Sequence, residues 1–412
     1  MRLTIVFWAV VLAACAEKVS YDGYKVYRLN LTNQKQLSVL TKLVDNSLID
    51  FWSTLRLSSK PVDVMIHPKV DPMFTWILNS QGIHHEVLIK NVENVLKKEK
   101  LVQKQSPLPQ KGRISFTQYN RFEQINNYLY QLQQDYPNIV TLQSIGSTYE
   151  GRDMMVIQIS TDPDANKPVI FIDAGIHARE WIAPAMALYI INQLVENPNN
   201  SYLLDKVDWH ILPVVNSDGY EYTFEHDRFW RKTRSFQQEC FGTDANRNFG
   251  FHWGEGGTSS NPCDETFQGP YAFSEVEALN VKAYMESWKN RIKLYITFHS
   301  YGNYLLYPWG YTAELPDDEA ELRSLAEKVN AAIVQAGGDE YEIGTTTNVL
   351  YIAAGTSKDW AKGALEIQLS YTIELPGGGS QGFDPSPSRI IPIVEETFPV
   401  ALLSEINYTK RH

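Results

Sequence analysis

The sequence predicts an α/β protein in which a mixed, mostly parallel twisted sheet carries helices on both faces. The chain has 412 residues, more than one hydrophobic core usually organises, so we expect at least two folded units. In the longer C-terminal part, short apolar runs of the kind found in central strands buried on both sides alternate with helical stretches. The runs lie at 168–174, 206–215, 291–299 and 370–375, and the helical stretches include 181–196 and 317–336.

A small α+β domain is predicted to precede this sheet, within residues 17–113. Asn33 and Asp71 stand where each can cap a helix, and two prolines and a glycine within 103–112 predict an exposed linker. Strands are expected at 21–31, 61–66 and 83–89, and helices at 34–47, 72–81 and 92–102.

The two parts of the chain carry opposite charge. Residues 17–113 contain 15 basic and 9 acidic residues, whereas residues 114–412 contain 21 basic and 39 acidic ones. This difference favours two domains of opposite net charge. The overall net charge of −11 argues against nucleic acid or an anionic membrane as a partner.

Residues 1–16 have the pattern of a secretory signal peptide. A positive start is followed by an apolar run at 3–13 that is too short to span a bilayer, and Ala14-Cys15-Ala16 is a small-residue cleavage sequence. The chain is therefore expected to be secreted. A membrane anchor, a buried strand and a bacterial lipoprotein signal are the alternatives.

Cysteine and asparagine patterns agree with export. Removal of Cys15 leaves Cys240 and Cys263, which would form one disulfide in an oxidising compartment and remain two free thiols in a reducing one. Acceptor sequences for N-glycosylation stand at Asn30, Asn199 and Asn407.

Three residues form a candidate metal site. His177 and Glu180 follow the first apolar run, in a segment that leads into a helix, and His299 ends another run. The carboxyl ends of neighbouring strands meet at one edge of an open sheet, so these side chains are expected to converge. Two His and one Glu with an open fourth position are the ligand set of catalytic zinc.

Further polar residues fit a hydrolytic site. Glu374 lies inside an apolar strand, where a carboxylate requires a partner or a function. Arg231 and the pair Asn246-Arg247 lie in polar clusters, and a guanidinium suits an oxyanion or a carboxylate. Taken singly, each of these charged groups also fits an ordinary ion pair.

Six motifs in this order and spacing resemble the animal pancreatic-type metallocarboxypeptidases, the carboxypeptidase A and B family. They are HARE at 177–180, WRKTR at 230–234, DANRN at 244–248, FHSY at 298–301, Tyr351, and IEL at 373–375. The resemblance covers essentially the whole chain. It implies a secreted, monomeric, insect-like digestive zymogen with one Zn²⁺, a ferredoxin-like open-sandwich prodomain at 17–113 and a catalytic domain at 114–412. The Cys240–Cys263 pair also matches the disulfide of the family.

The same resemblance implies residue roles. His177, Glu180 and His299 would bind zinc, Glu374 would be the general base for the attacking water, and Arg231 would stabilise the oxyanion. The side chains that would hold the substrate's C-terminal carboxylate are Asn246, Arg247 and Tyr351, and those that would line outer subsites are Arg179, Arg228, Tyr301 and Phe383.

Lys358 departs from the family pattern. With the one residue that this chain has in excess of carboxypeptidase A placed after Trp360, Lys358 aligns with the base of the specificity pocket, where the family has an apolar residue or an aspartate. If that extra residue lies earlier, Ser357 occupies the position instead. A buried ammonium needs an anion, so the sequence predicts a preference for C-terminal glutamate over aspartate, with the polar Thr346 on the pocket wall in support. If Lys358 instead leaves the pocket or pairs with a protein carboxylate, the preference would be for aromatic and aliphatic ends.

The prodomain would keep the enzyme latent until a trypsin-like protease cuts the linker. Cleavage is expected after Arg113, with Lys111 as the alternative. A noncatalytic carboxypeptidase-like binding protein is disfavoured, because this chain retains all three zinc ligands and the base.

Overall fold

The computed structural model describes residues 18–405 except 45, 54, 58–59, 106–108, 238, 378–382 and 384, and it describes no side chains for 402–405. The predicted signal peptide and Asn407 lie outside the described residues. No helix in the described part is long and apolar enough to cross a membrane.

The N-terminal domain is a four-stranded antiparallel sheet with helices. Its strands lie in the order β2-β3-β1-β4. The elements are β1 (Lys25–Asn30), α1 (Gln34–Thr41), β2 (Ile49–Phe51), β3 (Val62–Ile66), α2 (Asp71–Ser80), β4 (His84–Ile89) and α3 (Val92–Gln105). The sequence predicted three of these strands and missed β2, because three residues are too few to show a period-two pattern.

One of the two predicted helix caps is present. The side chain of Asn33 accepts a hydrogen bond from the backbone N–H of Gln36 at the start of α1. The prediction for Asp71 is wrong, because Asp71 is the first residue of α2. Its carboxylate accepts hydrogen bonds from Lys25 Nζ at 2.7 Å and Tyr27 Oη at 2.5 Å, so it ties α2 to the sheet.

The C-terminal domain is built on a mixed eight-stranded sheet in the order β13-β12-β14-β11-β7-β8-β6-β5. Its strands are β5 (Val140–Ser147), β6 (Asp153–Ile159), β7 (Val169–Ala174), β8 (Asp208–Leu212), β11 (Ile292–Ser300), β12 (Tyr304–Tyr307), β13 (Glu342–Thr345) and β14 (Leu369–Leu375), with a separate hairpin of β9 (Phe236–Gln237) and β10 (Cys240–Phe241). The four predicted apolar runs are the contiguous parallel strands β14, β11, β7 and β8.

Helices cover both faces of this sheet, as predicted. Ile170 and Ile172 of β7 pack into one core, and Val169 and Phe171 of the same strand pack into a second core on the opposite face. The helices are α4 (Phe122–Asp135), α5 (Ile182–Val195), α6 (Ser217–Glu225), α7 (Val276–Trp288), α8 (Glu319–Gln335), α9 (Thr346–Val349), α10 (Ser357–Gly363) and α11 (Ile390–Thr397).

Register brings the ends of three central strands together. Phe298 of β11 pairs with Ala174, the last residue of β7, and His299 pairs with Glu374 of β14. The chain leaves β7 through Gly175, which has φ +67°, and a Cβ at this position would lie 3.0 Å from Pro184. This turn therefore requires glycine, and it delivers the following residues to the carboxyl edge of the sheet.

The predicted disulfide is present. Cys240 and Cys263 are bonded, with their Cα atoms 5.2 Å apart. The bond joins the β9–β10 hairpin to the loop that follows the polar segment at 244–248.

Candidate active site

The structure brings the three predicted metal ligands together at the carboxyl edge of the sheet. His177 Nδ1 lies 2.8 Å from Glu180 Oε1, and His299 Nδ1 lies 3.1 Å from both Glu180 Oε2 and His177 Nδ1. All three residues are buried, and one ligand atom from each lies within 4.8 Å of the others. Two imidazole nitrogens and a carboxylate that converge in this way fit a zinc ion, which takes such ligands at about 2.0–2.2 Å.

Asp244 connects this ligand set to the rest of the site. Its Oδ1 lies 3.1 Å from His177 Nε2, and its Oδ2 accepts hydrogen bonds from Arg231 Nη2 at 2.7 Å and Nε at 3.1 Å. Burial alone would raise the pKa of Asp244, but the charges of Arg231 and His177 hold it well below its usual range. A carboxylate on the far nitrogen of a metal-binding imidazole fixes the ring and strengthens the ligand. Asp244 is the first residue of the DANRN motif at 244–248, but the sequence alone assigns it no role.

Arg231 is held beside the ligands. Besides its two hydrogen bonds to Asp244, its Nη1 lies 3.8 Å from Glu180 Oε1. The guanidinium is therefore fixed in position and charged next to the place where zinc would bind, as an oxyanion-stabilising group requires.

The predicted carboxylate-binding residues form a second group. Asn246 follows Asp244 in a short 3₁₀ turn, and its Oδ1 accepts the backbone N–H of Ser357 at 2.9 Å. Arg247 Nε donates to the backbone oxygen of Gly257 at 3.0 Å, and its Nη2 lies 3.5 Å from Tyr351 Oη. Arg247 is buried, whereas Tyr351 is 43% exposed.

Glu374 lies beside His299 across the β11–β14 pair. Burial raises the pKa of Glu374 to about 7, against the opposing charge of His299 and with added repulsion from Glu180. A carboxylate with a raised pKa at the edge of a metal site is suited to accept and return a proton.

Lys358 is buried in the first turn of α10 and has a protein partner. Its Nζ lies 2.6 Å from Oδ1 of Asp359, whose Oδ2 accepts backbone N–H groups of Gly310 at 2.6 Å and Tyr311 at 3.2 Å. Pairing of Lys358 with a protein carboxylate is one of the alternatives that the sequence allows. Burial lowers the pKa of Lys358, and the Asp359 charge opposes that shift. The hydroxyl of Thr346 is also buried and has no hydrogen-bond partner among the described residues.

The predicted outer-subsite residues all contact the N-terminal domain. Arg179 Nη1 lies 3.1 Å from Asp50 Oδ2, Arg228 Nε lies 3.3 Å from Glu99 Oε1, and Tyr301 Oη donates to Asp63 Oδ2 at 3.3 Å. The ring of Phe383 meets Trp52 edge-on at 5.3 Å. Arg228 also stacks 3.6 Å from the Trp181 ring and donates to the Arg179 carbonyl, so part of its role is to support Arg179.

Trp52 is the apolar centre of this contact. The side chain follows β2 and is 5% exposed, with its ring 5.0 Å from Phe229 as well as beside Phe383. Its Nε1 donates to Asp50, the carboxylate that also binds Arg179. The N-terminal domain therefore covers the mouth of the site with an aromatic plug and an ion pair.

We predict that Asp244→Asn weakens zinc binding about 10- to 100-fold, because the His177 ring loses its carboxylate partner. Zinc retained against a competing chelator measures this effect. Asp264→Asn is the control, because among the described residues that carboxylate accepts hydrogen bonds from Ser259 and Asn261 of its own loop. Equal zinc retention in both variants would contradict the assigned role of Asp244.

Residues 125–400 match the zinc carboxypeptidase family, and residues 27–99 match the carboxypeptidase activation peptide. The chain is 38% identical to zinc carboxypeptidase A 1 of Drosophila melanogaster over 95% of this chain and 94% of the relative. It is 46% identical to carboxypeptidase B of Astacus astacus over 69% of this chain and 95% of that protein.

The fold agrees with these matches. The crystal structure of the carboxypeptidase A from Helicoverpa armigera superimposes with a TM-score of 0.89 at 31% identity, over 95% of this chain and 99% of that one. Together with the converging zinc ligands and the covering N-terminal domain, these matches show that the chain belongs to the zinc carboxypeptidase family and is a zymogen with its own activation peptide.

Proposed function

We propose that the mature domain removes single residues from the C-termini of peptides and prefers a C-terminal glutamate. The reaction class rests on the juxtaposition of the His177, Glu180 and His299 ligand set with Arg247, whose Nη1 lies 4.0 Å from Oδ2 of Asp244, the carboxylate that also contacts His177. The glutamate preference rests on the buried ammonium of Lys358.

Different residues of the chain perform different steps of peptide hydrolysis. Bound zinc supplies Lewis acidity, which lowers the pKa of water and polarises a carbonyl. Glu374 takes a proton from the attacking water and returns it to the leaving amine, and Arg231 donates hydrogen bonds to the oxygen that gains negative charge. Asn246 and Arg247 hold a free C-terminal carboxylate, which restricts cleavage to the last peptide bond.

We predict that Glu374→Gln lowers kcat about 10²- to 10⁴-fold, because the amide cannot accept the proton. The zinc content should remain that of the wild type, since the three ligands are unchanged. Parallel measurement of kcat and bound zinc on the activated enzyme separates the two effects. Activity near the wild-type level with zinc bound would exclude Glu374 as the base.

The Lys358 ammonium has hydrogen-bond donors that a substrate carboxylate could use. An ammonium has three N–H donors, and in the described structure the Lys358 ammonium makes one hydrogen bond, to Asp359. The other oxygen of Asp359 is committed to two backbone N–H groups. A glutamate side chain can accept from Lys358 and from the unpartnered hydroxyl of Thr346, whereas a substrate Lys or Arg would be repelled.

One observation favours the alternative, which is a preference for aromatic or aliphatic ends. The Lys358–Asp359 pair already neutralises the ammonium within the protein. A pocket with a neutralised ammonium does not require a substrate anion. Competition between peptides that end in Glu and peptides that end in Phe or Leu distinguishes the two specificities.

We predict that the enzyme cleaves peptides ending in Glu faster than those ending in Gln by roughly 10- to 150-fold, the equivalent of a charged hydrogen bond of about 1.5–3 kcal/mol. In Lys358→Met this ratio should fall toward unity, and cleavage of Leu and Phe ends should rise. The measurement is kcat/KM on peptides that differ only in the last residue.

Lys362→Met is the matched control for this series. Lys362 lies on the same helix, and its ammonium pairs with Asp318 at 2.8 Å. This variant should keep the Glu/Gln ratio of the wild type. Faster cleavage of Phe than of Glu by the wild type, or an unchanged ratio in Lys358→Met, would refute the glutamate preference.

The activation peptide restrains this activity by covering the outer subsites. We predict that Trp52→Ala raises the peptidase activity of the uncleaved zymogen, because the plug against Phe229 and Phe383 is lost. Trp76→Ala is the control, since Trp76 belongs to the same domain and is 69% exposed. Basal hydrolysis of a long peptide by each zymogen measures the effect, and equal basal rates would contradict the role of Trp52.

We further propose that the protein is secreted as a monomer into a digestive lumen. The disulfide between Cys240 and Cys263 supports an oxidising compartment. Asn30 and Asn199 are exposed, as glycan acceptors must be. The two family matches, at 27–99 and 125–400, support a division between an N-terminal activation peptide and a C-terminal catalytic part, for which the sequence predicts the bounds 17–113 and 114–412.

A further inference from the structure

The segment between α3 and α4 contains two basic residues in different surroundings. Arg113 Nη1 lies 2.8 Å from Glu196 Oε1, and its Nη2 lies 3.4 Å from Asp135 Oδ2. Glu196 caps the end of α5, and its Oε2 accepts hydrogen bonds from Tyr128 Oη and Asn192 Nδ2, both at 2.7 Å. Arg113 is therefore part of a polar network formed by two helices of the C-terminal domain.

The residues that follow Arg113 are integrated into the same domain. Ile114 and Phe116 pack against its larger core. The side chain of Asn120 binds the backbone of Ser115 twice. Its Oδ1 accepts the Ser115 N–H at 3.3 Å, and its Nδ2 donates to the Ser115 carbonyl oxygen at 2.8 Å. Lifting this segment would expose apolar surface and break these hydrogen bonds.

Lys111 has none of these restraints. Its side chain is exposed and makes no hydrogen bond or ion pair with any part of the chain that the structure describes. It precedes Gly112, which has φ +77° and lies against Gln131. Before it, Pro109 and Gln110 lie outside any helix or strand.

We propose that a trypsin-like protease activates the zymogen by cutting the Lys111–Gly112 bond, and that Arg113 remains in the mature enzyme as the anchor of its N-terminus. Such a protease must enclose the whole basic side chain and extend the flanking backbone. At Arg113 this requires breaking both ion pairs and removing Ile114 from the core. At Lys111 the side chain is already exposed. The turn around the buried Gly112, closed by the Arg113 N–H that donates to the Gln110 oxygen at 2.9 Å, must open, but no side-chain ion pair of Lys111 has to break.

The reaction is a simple hydrolysis. One water is consumed, a carboxylate forms on Lys111, and an amine forms on Gly112. This inference concerns the linker and does not depend on the specificity proposed for Lys358. It replaces Arg113, the cleavage site expected from the sequence, with Lys111.

Limited digestion of the full-length zymogen with trypsin tests the proposal. The N-terminus of the first active product is read by sequencing and by intact mass at early times. A product beginning at Gly112 supports the proposal. A first active product beginning at Ile114, or at Gln105 after a cut in α3, overturns it.

Two variants give an independent readout. Lys111→Gln should slow the appearance of activity by roughly tenfold or more, because the accessible site is lost. Arg113→Gln should activate at the wild-type rate, and its mature form should melt at a lower temperature because the Glu196 and Asp135 pairs are gone. Slow activation of Arg113→Gln beside normal activation of Lys111→Gln overturns the proposal. If Arg113→Gln fails to fold, the N-terminus of the wild-type product decides.

Discussion

The carboxylate of Asp244 is the constraint on which the site depends. It contacts the ring of the proposed zinc ligand His177, fixes the guanidinium of Arg231, and accepts the backbone N–H of Asn246 at 2.9 Å. The residue is fully buried, so these bonds lie in a region of low dielectric constant. Breaking a buried charge pair of this kind typically costs about 3–5 kcal/mol. One carboxylate thereby sets the relative positions of His177, Arg231 and Asn246, to which we assign metal binding, oxyanion stabilisation and substrate-carboxylate binding.

Charge at the interface of the two domains runs opposite to their net charges. The N-terminal domain is basic overall, yet its acidic residues Asp50 and Glu99 contact Arg179 and Arg228 of the acidic catalytic domain. At another contact the signs are reversed, because Arg56 of the N-terminal domain donates to Glu342 of the catalytic domain at 2.9 Å. Net charge did not predict this interface, because local pairs determine it.

Sequence patterns predicted the central sheet and its polar edge, because four buried strands leave long apolar runs and the ligand residues follow them. The outer strands of the sheet escaped prediction, since strands such as β5 mix polar and apolar residues without a clear period. The sequence predicts a helix cap at Asp71, whereas its carboxylate binds Lys25 and Tyr27 of β1, and contacts between distant elements leave no local pattern. The Lys358–Asp359 pair joins adjacent residues, and only the fold shows that both side chains are buried together.

We propose that this site removes one residue at a time from peptide C-termini and that it removes a C-terminal glutamate fastest. The most direct measurement is digestion of a mixture of otherwise identical peptides that end in Glu, Gln, Phe, Leu or Lys by the activated enzyme, followed by mass spectrometry, with and without a zinc chelator. We expect loss of single terminal residues, fastest from the Glu peptide, and no reaction with chelator. Internal cleavage, chelator-resistant cleavage, or faster loss of Phe or Leu than of Glu would contradict it.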